Sequence, residues 1–156
     1  MMPNLNRYSP TTIRAKIKPF RLIWLPTVGS TNTWAARARR KKKLFAPSVV
    51  LTGRQTLGRG RGANTFTSPG GVMTATFVLP INETIAPNLV PLLAGLAARD
   101  AIHRVAGIDV GLKWPNDLWH DDLKLAGLLC ERIDGVDLIG IGINLNLDPS
   151  DMPKNL

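Results

Sequence analysis

Three segments of this sequence carry residue types that do chemistry on anions. The first is Gln55-Thr-Leu-Gly58-Arg59-Gly60-Arg61-Gly62, which follows an apolar run and alternates glycine with arginine. Glycine lets the backbone approach a ligand closely, and each guanidinium offers a planar fork of donors to carboxylate or phosphate. An anion site and an ordinary flexible basic loop both fit this pattern. The spacing is neither that of a Walker loop nor that of a dinucleotide fingerprint. The second segment is Lys113-Trp-Pro-Asn-Asp117 followed by Lys124-Leu-Ala-Gly127. Two lysines and a carboxylate on adjacent strands with a short connection can converge at one end of a sheet. Asn116 and Asp117 can equally satisfy a local turn. The third is Gly140-Ile-Gly142-Ile-Asn144, where glycines in an apolar strand imply close approach of a ligand or another strand. Asn144 is a site residue or a buried amide held by backbone.

These segments need a frame. Phe20 to Leu25, closed by Pro26, reads as a buried strand. Ser30, Thr31 and Asn32 precede an Ala- and Arg-rich stretch to about Leu44, which predicts a helix capped at Ser-Thr-Asn. Val49 to Thr56 and the alternating Val72 to Leu79 are predicted strands. Pro87 to Val105 has helical apolar spacing with Gly107 as its stop. Val110 to Trp114, Leu123 to Cys130 and Leu138 to Leu147 complete a mixed sheet backed by two helices, an α+β architecture. Along Leu123 to Cys130, Leu123 and Leu125 are expected to face away from Lys124.

Composition narrows the function classes. All eleven acids lie from Glu83 onward, while residues 1–82 hold fourteen Lys or Arg, so the first half presents a positive field to phosphate-bearing partners. The run Arg37 to Lys43 is read as a solvated helix face, with a nucleic-acid-binding module as the competing reading. Cys130 is the one cysteine, which excludes an intrachain disulfide and a cysteine zinc site and fits a reducing, cytoplasmic setting. No stretch nears the roughly eighteen consecutive apolar residues of a membrane span. Residues 1–19 are expected to be a loose N-terminal extension and residues 20–156 the functional domain.

Taken in order, Ser30-Thr-Asn32, Gly58-Arg-Gly-Arg61, Lys113-Trp-Pro-Asn-Asp117, Lys124-Leu-Ala-Gly127 and Gly140-Ile-Gly-Ile-Asn144 resemble the signatures of biotin–protein ligases. The resemblance runs from about Leu22 to Leu147. It implies the family's fold, a mixed, largely antiparallel sheet flanked by helices, related to class II aminoacyl-tRNA synthetases and lipoate ligases. It also implies the family's activity: ATP activates biotin as biotinyl-AMP, and a lysine of a biotin carboxyl carrier protein takes it. By the same resemblance Ser30, Thr31 and Gln55 hold the biotin rings, with Asn32 close by. Gly58, Arg59, Gly60 and Arg61 form the loop over the adenylate. Lys124 bridges the biotin carboxylate and the α-phosphate, and Gly127 gives room. Lys124, Arg59, Arg61 and Asp117 are the catalytic set, and Asp117 and Asn144 lie where Mg²⁺ would sit.

The chemistry of the residues agrees, because a carboxylate attacking ATP needs fixed cations more than a protein nucleophile. Gly62-Ala-Asn64-Thr-Phe66 departs from members with a more basic loop, leaving Phe66 where an aromatic is expected. The short N-terminal side leads us to expect no DNA-binding module, and the end at Leu156 to expect a truncated C-terminus. A homodimer is compatible. Rival readings are a lipoate or octanoate ligase or transferase of the same fold, and a non-catalytic biotin-binding remnant.

Overall fold

Period-two alternation in the apolar runs builds one sheet whose two faces are covered differently. The computed structural model describes residues 9–68 and 71–146. In chain order the elements are α1 (Pro10–Lys16), β1 (Arg21–Leu25), α2 (Thr31–Arg40), β2 (Ser48–Thr52), β3 (Gly58–Arg59), β4 (Thr65–Phe66) and β5 (Val72–Pro80). A 3-10 turn at Pro87–Leu89 leads into α3 (Val90–Ala106), and β6 (Gly111–Lys113), β7 (Asp117–His120), β8 (Leu123–Ile133) and β9 (Val136–Asn144) follow. The seven-stranded sheet runs β1-β2-β5-β9-β8-β7-β6, and β3 with β4 forms a separate small hairpin. Among the described strands only β1 and β2 pair in parallel; the remaining strand pairs are antiparallel. The expected mixed, largely antiparallel α+β sheet is what forms.

One face packs Ala75, Ala126, Leu128 and Ile141 with Leu118 beneath Ala94, Ala98 and Ile102 of α3. The other packs Val50, Val78, Val136 and Leu138 against Ala35 of α2. Along β5 the residues alternate strictly, so Met73, Ala75 and Phe77 join the α3 side while Thr74 and Thr76 are buried on the α2 side. That second face is where the cleft described below opens.

Residues 10–16, expected in a loose extension, form α1. Ser9 Oγ accepts the Thr12 amide at 3.2 Å as its cap. Ile17 and Phe20 then pack on the core, Phe20 edge-on to Phe77 with centroids 6.0 Å apart. Residues 1–8 of that extension, and Leu147 at the predicted end of the last strand, lie outside the described residues.

Two boundaries differ for identifiable reasons. Helix α2 ends at Arg40, not near Leu44, because Lys42 takes the left-handed conformation at φ 55°. The Lys42 amide then reaches Arg39 O at 2.8 Å and the Lys43 amide reaches Ala38 O at 2.9 Å. These are the two bonds of a Schellman end, made here with lysine where glycine is usual. Strand β7 was hidden in Lys113-Trp-Pro-Asn-Asp117, whose turn occupies 114–116 and whose Asp117 already pairs with Gly127.

Leu118 is fully buried where α3, β7 and the neighbouring strands meet. Leu118→Ala is expected to lower unfolding free energy by roughly 2–5 kcal/mol. Val105→Ala, at a residue 88% exposed, should stay within about 0.5 kcal/mol. Urea midpoints of the two variants measure the difference.

A candidate active site

The cleft begins where two loops extend the parallel β1–β2 pair. Val28 and Gln55 form an isolated parallel bridge, and the Thr56 amide reaches Val28 O at 2.9 Å. This sets the Gln55 side chain against the start of α2. Ser30 is the helix cap, with extended φ −150° and ψ 134°. Gln55 Oε1 accepts the Thr31 amide at 2.7 Å and the Thr31 hydroxyl at 3.1 Å. Both donors point at one atom, which fixes the amide's orientation and leaves Nε2 without an acceptor among the described residues.

Asn32 goes deeper than its neighbours. Its Nδ2 donates to Leu129 O at 3.0 Å and to Glu131 Oε2 at 2.9 Å. Its Oδ1 accepts from Thr76 Oγ1 at 2.6 Å, and Thr76 Oγ1 lies 2.8 Å from Thr31 Oγ1. Every donor of this buried amide is used, so Asn32 is a structural pin between α2, β5 and β8. Gly140 makes the pin possible, since a Cβ there would run into Asn32 Oδ1.

Lys124 reaches the same face through an irregularity. Leu118 pairs with Ala126 and Trp119 with Lys124, so Leu125 is an extra residue in β8. Strict alternation would put residues 124 and 127 on opposite faces; the bulge puts both on the cleft. Leu125 packs into the opposite core, as expected, whereas Leu123 is exposed at the β7–β8 turn. Lys124 Nζ sits 2.8 Å from Asp117 Oδ2. Asp117 Oδ1 is buried and has no hydrogen-bond partner among the described residues. A Cβ on Gly127 would meet both Lys124 Nζ and Asp117 Oδ1 at 3.4 Å, which explains the open space there.

The β3–β4 hairpin covers the cleft. Gly58 is not a lining residue: a Cβ on it would strike Phe66 O, so it lets the two short strands close. The Phe66 ring lies over Gly142, where any Cβ would collide with it. Arg61 lines the cleft and has no ion-pair partner among the described residues. Arg59 also lines it, but forks onto Glu131 at 3.0 and 3.3 Å. The cleft has a volume of about 470 Å³, within the range of small-molecule sites.

Of the residues selected from sequence, Ser30, Thr31, Asn32, Gln55, Arg59, Gly60, Arg61, Asp117, Lys124 and Gly127 come together around this cleft. Asn144 does not. Its Nδ2 donates to Lys124 O at 3.0 Å, bracing the bulge from outside the lining. Lys113 also stays outside, its ammonium 3.8 Å from the centre of the Trp119 ring. Thr74, Thr76 and Glu131 were missed. Glu131 follows Gly127 and Leu129 at period two, so tracking the face along β8 would have found it. For Mg²⁺, the unpartnered Asp117 Oδ1 suits one carboxylate contact, the sort of sparse protein ligation this ion accepts beside substrate phosphates. Asn144 lies outside the cleft lining, and no cluster of three His, Cys, Asp or Glu exists among the described residues.

Cys130 lies on β8 but is no nucleophile. Burial, with the charges of Asp137 and Glu131, pushes its thiol up to about 12 from an ordinary 9.0. The basic run at 37–43 begins in the last turn of α2 with Arg37, Arg39 and Arg40, where cations suit the helix dipole, and continues past the helix end through Lys43. Arg39 there holds Asp134 O at 3.0 Å and Leu44 O at 3.2 Å.

A sequence model described as the biotin/lipoate A/B protein ligase family matches residues 24–148. The chain belongs to that family. It is 31% identical over 153 residues to the chloroplastic biotin–protein ligase 1 of Arabidopsis thaliana, covering 93% of this chain and 41% of that protein. It is 37% identical over 120 residues to the bifunctional ligase/repressor BirA of Bacillus subtilis, covering 70% and 36%. The crystal structure of the Leishmania major biotin protein ligase with biotin superposes with a TM-score of 0.72 at 33% identity, over 84% of this chain and 59% of that one. The Aquifex aeolicus enzyme with biotin and ATP gives 0.70 at 32%, over 86% and 55%. This chain therefore spans about two fifths of the length of these curated relatives.

Thr76→Val would strip the donor from Asn32 Oδ1 and leave a buried acceptor unmet. A loss of roughly 1–3 kcal/mol in urea unfolding is expected. Cys130 should resist iodoacetamide at about pH 8 in the native protein and label readily in urea, because its thiolate forms only when burial is lifted. Mass spectrometry of the two samples reads this directly.

Proposed function

We propose that this chain binds biotin and ATP, joins them as biotinyl-AMP, and passes biotin to a lysine of a biotin carboxyl carrier protein. The observation that carries the proposal is the pairing, on one sheet face, of a neutral polar end with a cationic end. Ser30, Thr31 and Gln55 offer neutral donors and acceptors, which a ureido ring needs in a buried pocket. Lys124 and Arg61 offer cations, which a carboxylate meeting an α-phosphate needs.

In the first step a biotin carboxylate oxygen attacks the α-phosphorus and pyrophosphate departs. Charge grows on the α-phosphoryl oxygens as two anions are brought together. Lys124, held by Asp117 and by the bulge, is a fixed cation that requires little reorganisation. In the second step the acceptor amine attacks the acyl carbon and AMP leaves. Mg²⁺ neutralises polyphosphate charge when bound, and Asp117 Oδ1 is the protein atom here that would hold it. The hairpin with Phe66 and Arg61 shields the mixed anhydride from water.

Biotin-dependent exchange of labelled pyrophosphate into ATP tests the reading. Wild type is expected to exchange, and Lys124→Ala to slow it by about 10²–10³ with an unchanged thermal melt. Ser30→Ala should weaken biotin in calorimetry by roughly 1–3 kcal/mol, and lipoate should bind far less well than biotin. Biotin binding with no exchange would reduce the chain to a biotin-binding remnant, and binding of neither biotin nor ATP would sink the proposal.

A further inference from the structure

Two arginines of the glycine-rich hairpin look alike in sequence, yet their surroundings differ. Arg61 faces the cleft without a counter-ion among the described residues, whereas Arg59 spends its donor fork on Glu131. Glu131 in turn takes the Asn32 amide, and Asn32, Thr76, Thr31 and Gln55 follow in one hydrogen-bonded chain. Gln55 and Arg59 belong to the same loop. The segment between them is thus held at both ends, by Thr31 at one and by Glu131 at the other. Beyond Arg59 the hairpin turn is closed by the Gly60 amide, which donates to Asn64 O at 2.8 Å.

We infer that Glu131 is a positioning residue for the hairpin, and that Arg59 is its anchor and not a ligand for substrate phosphate. The carboxylate works as an internal stand-in anion. It neutralises Arg59 and so leaves Arg61 as the hairpin's uncompensated cation over the cleft. Because Glu131 also accepts from Asn32, the hairpin's seat is tied to the residues at the polar end. A filled polar end then favours a seated hairpin without either touching the other's ligand. The opposite assignment, Arg59 as a phosphate ligand, makes Glu131 a competitor that the substrate must displace. The two assignments predict opposite signs for one substitution.

This inference rests on the proposed reading only where a ligand is used, so its first test uses none. Hydrogen exchange at amides 58–66 is measured on ligand-free wild type, Glu131→Gln, Arg59→Gln and the double variant. Each single variant is expected to speed exchange by about three- to fivefold, the scale of a half-exposed ion pair, and the double variant to add nothing. Unchanged exchange in Glu131→Gln, or additive effects, would overturn the latch. The second test follows release of preformed biotinyl-AMP. Both single variants should release it faster by a similar factor, with equilibrium biotin affinity kept within about twofold. If Glu131→Gln instead holds the adenylate as well as wild type or better while Arg59→Gln loses it, Arg59 is a ligand and the inference fails. Should wild type bind neither biotin nor adenylate, the proposed function fails and the exchange data alone decide the latch. Matched thermal melts separate both outcomes from misfolding, and the near-isosteric Glu131→Gln keeps its acceptor for Asn32.

Discussion

The site depends on one buried amide. Asn32 stands at the start of α2, and its side chain crosses to β5 and β8, where it meets Thr76, Leu129 O and Glu131. Such a contact adds little net stability, because water would satisfy the same groups in the unfolded chain. Its value is in geometry. With its donors and its acceptor engaged at defined distances, the helix can dock on the sheet at one position and one rotation only. That position sets Thr31 against Gln55 and leaves Gly140 as the residue that makes room. The polar end of the cleft is therefore a by-product of how the helix is seated.

The cationic end is built by a different device. Lys124 is on the cleft face because β8 carries an extra residue, and Asn144 and Asp117 hold the result in place from two sides. The Lys124 side chain is 48% exposed, and its ammonium meets a carboxylate on the adjacent strand. The pair keeps an ammonium charge close to Gly127 with a second carboxylate oxygen to spare. Fixed charge of this kind acts on a developing anion without first having to be oriented.

Much of this was legible in the sequence, and the gaps have physical causes. The strands announced themselves by apolar runs, and Ser30 announced its helix by type and place. The end of α2 was overrun because the stop is made by Lys42, a residue type that carries no stop signal. Strand β7 was hidden because Trp-Pro-Asn reads as a turn, which it is, while the strand starts at the very next residue. Apart from Glu131, the charged and glycine residues around the cleft were found, since their types are unusual in strands. Thr74 and Thr76 were not, because threonine is an ordinary strand residue and only the fold tells which face it serves. Asn144 drew notice for the reverse reason: its motif is conspicuous, while its Nδ2 is bonded to the backbone of Lys124.

The uneven charge of the chain acquires a meaning once the fold is in view. The first 82 residues carry no acid, and the hairpin with Arg59 and Arg61 belongs to that part. Glu131 and Asp117 come from the later part and approach from β8 and β7. Folding therefore sets a cationic hairpin over a strand region that carries its own acids. Arg59 is met by Glu131 and Lys124 by Asp117, so two of the cations that line the cleft are balanced by residues of the protein. Arg61 is not. An anion entering the cleft thus finds a local field governed less by the net charge of +9 than by how the lining cations are paired among the described residues. Distant charges are screened over about 8 Å at physiological salt, whereas an unpaired guanidinium at the ligand is not. Pairing, more than accumulation, is how this fold tunes the charge that a substrate meets.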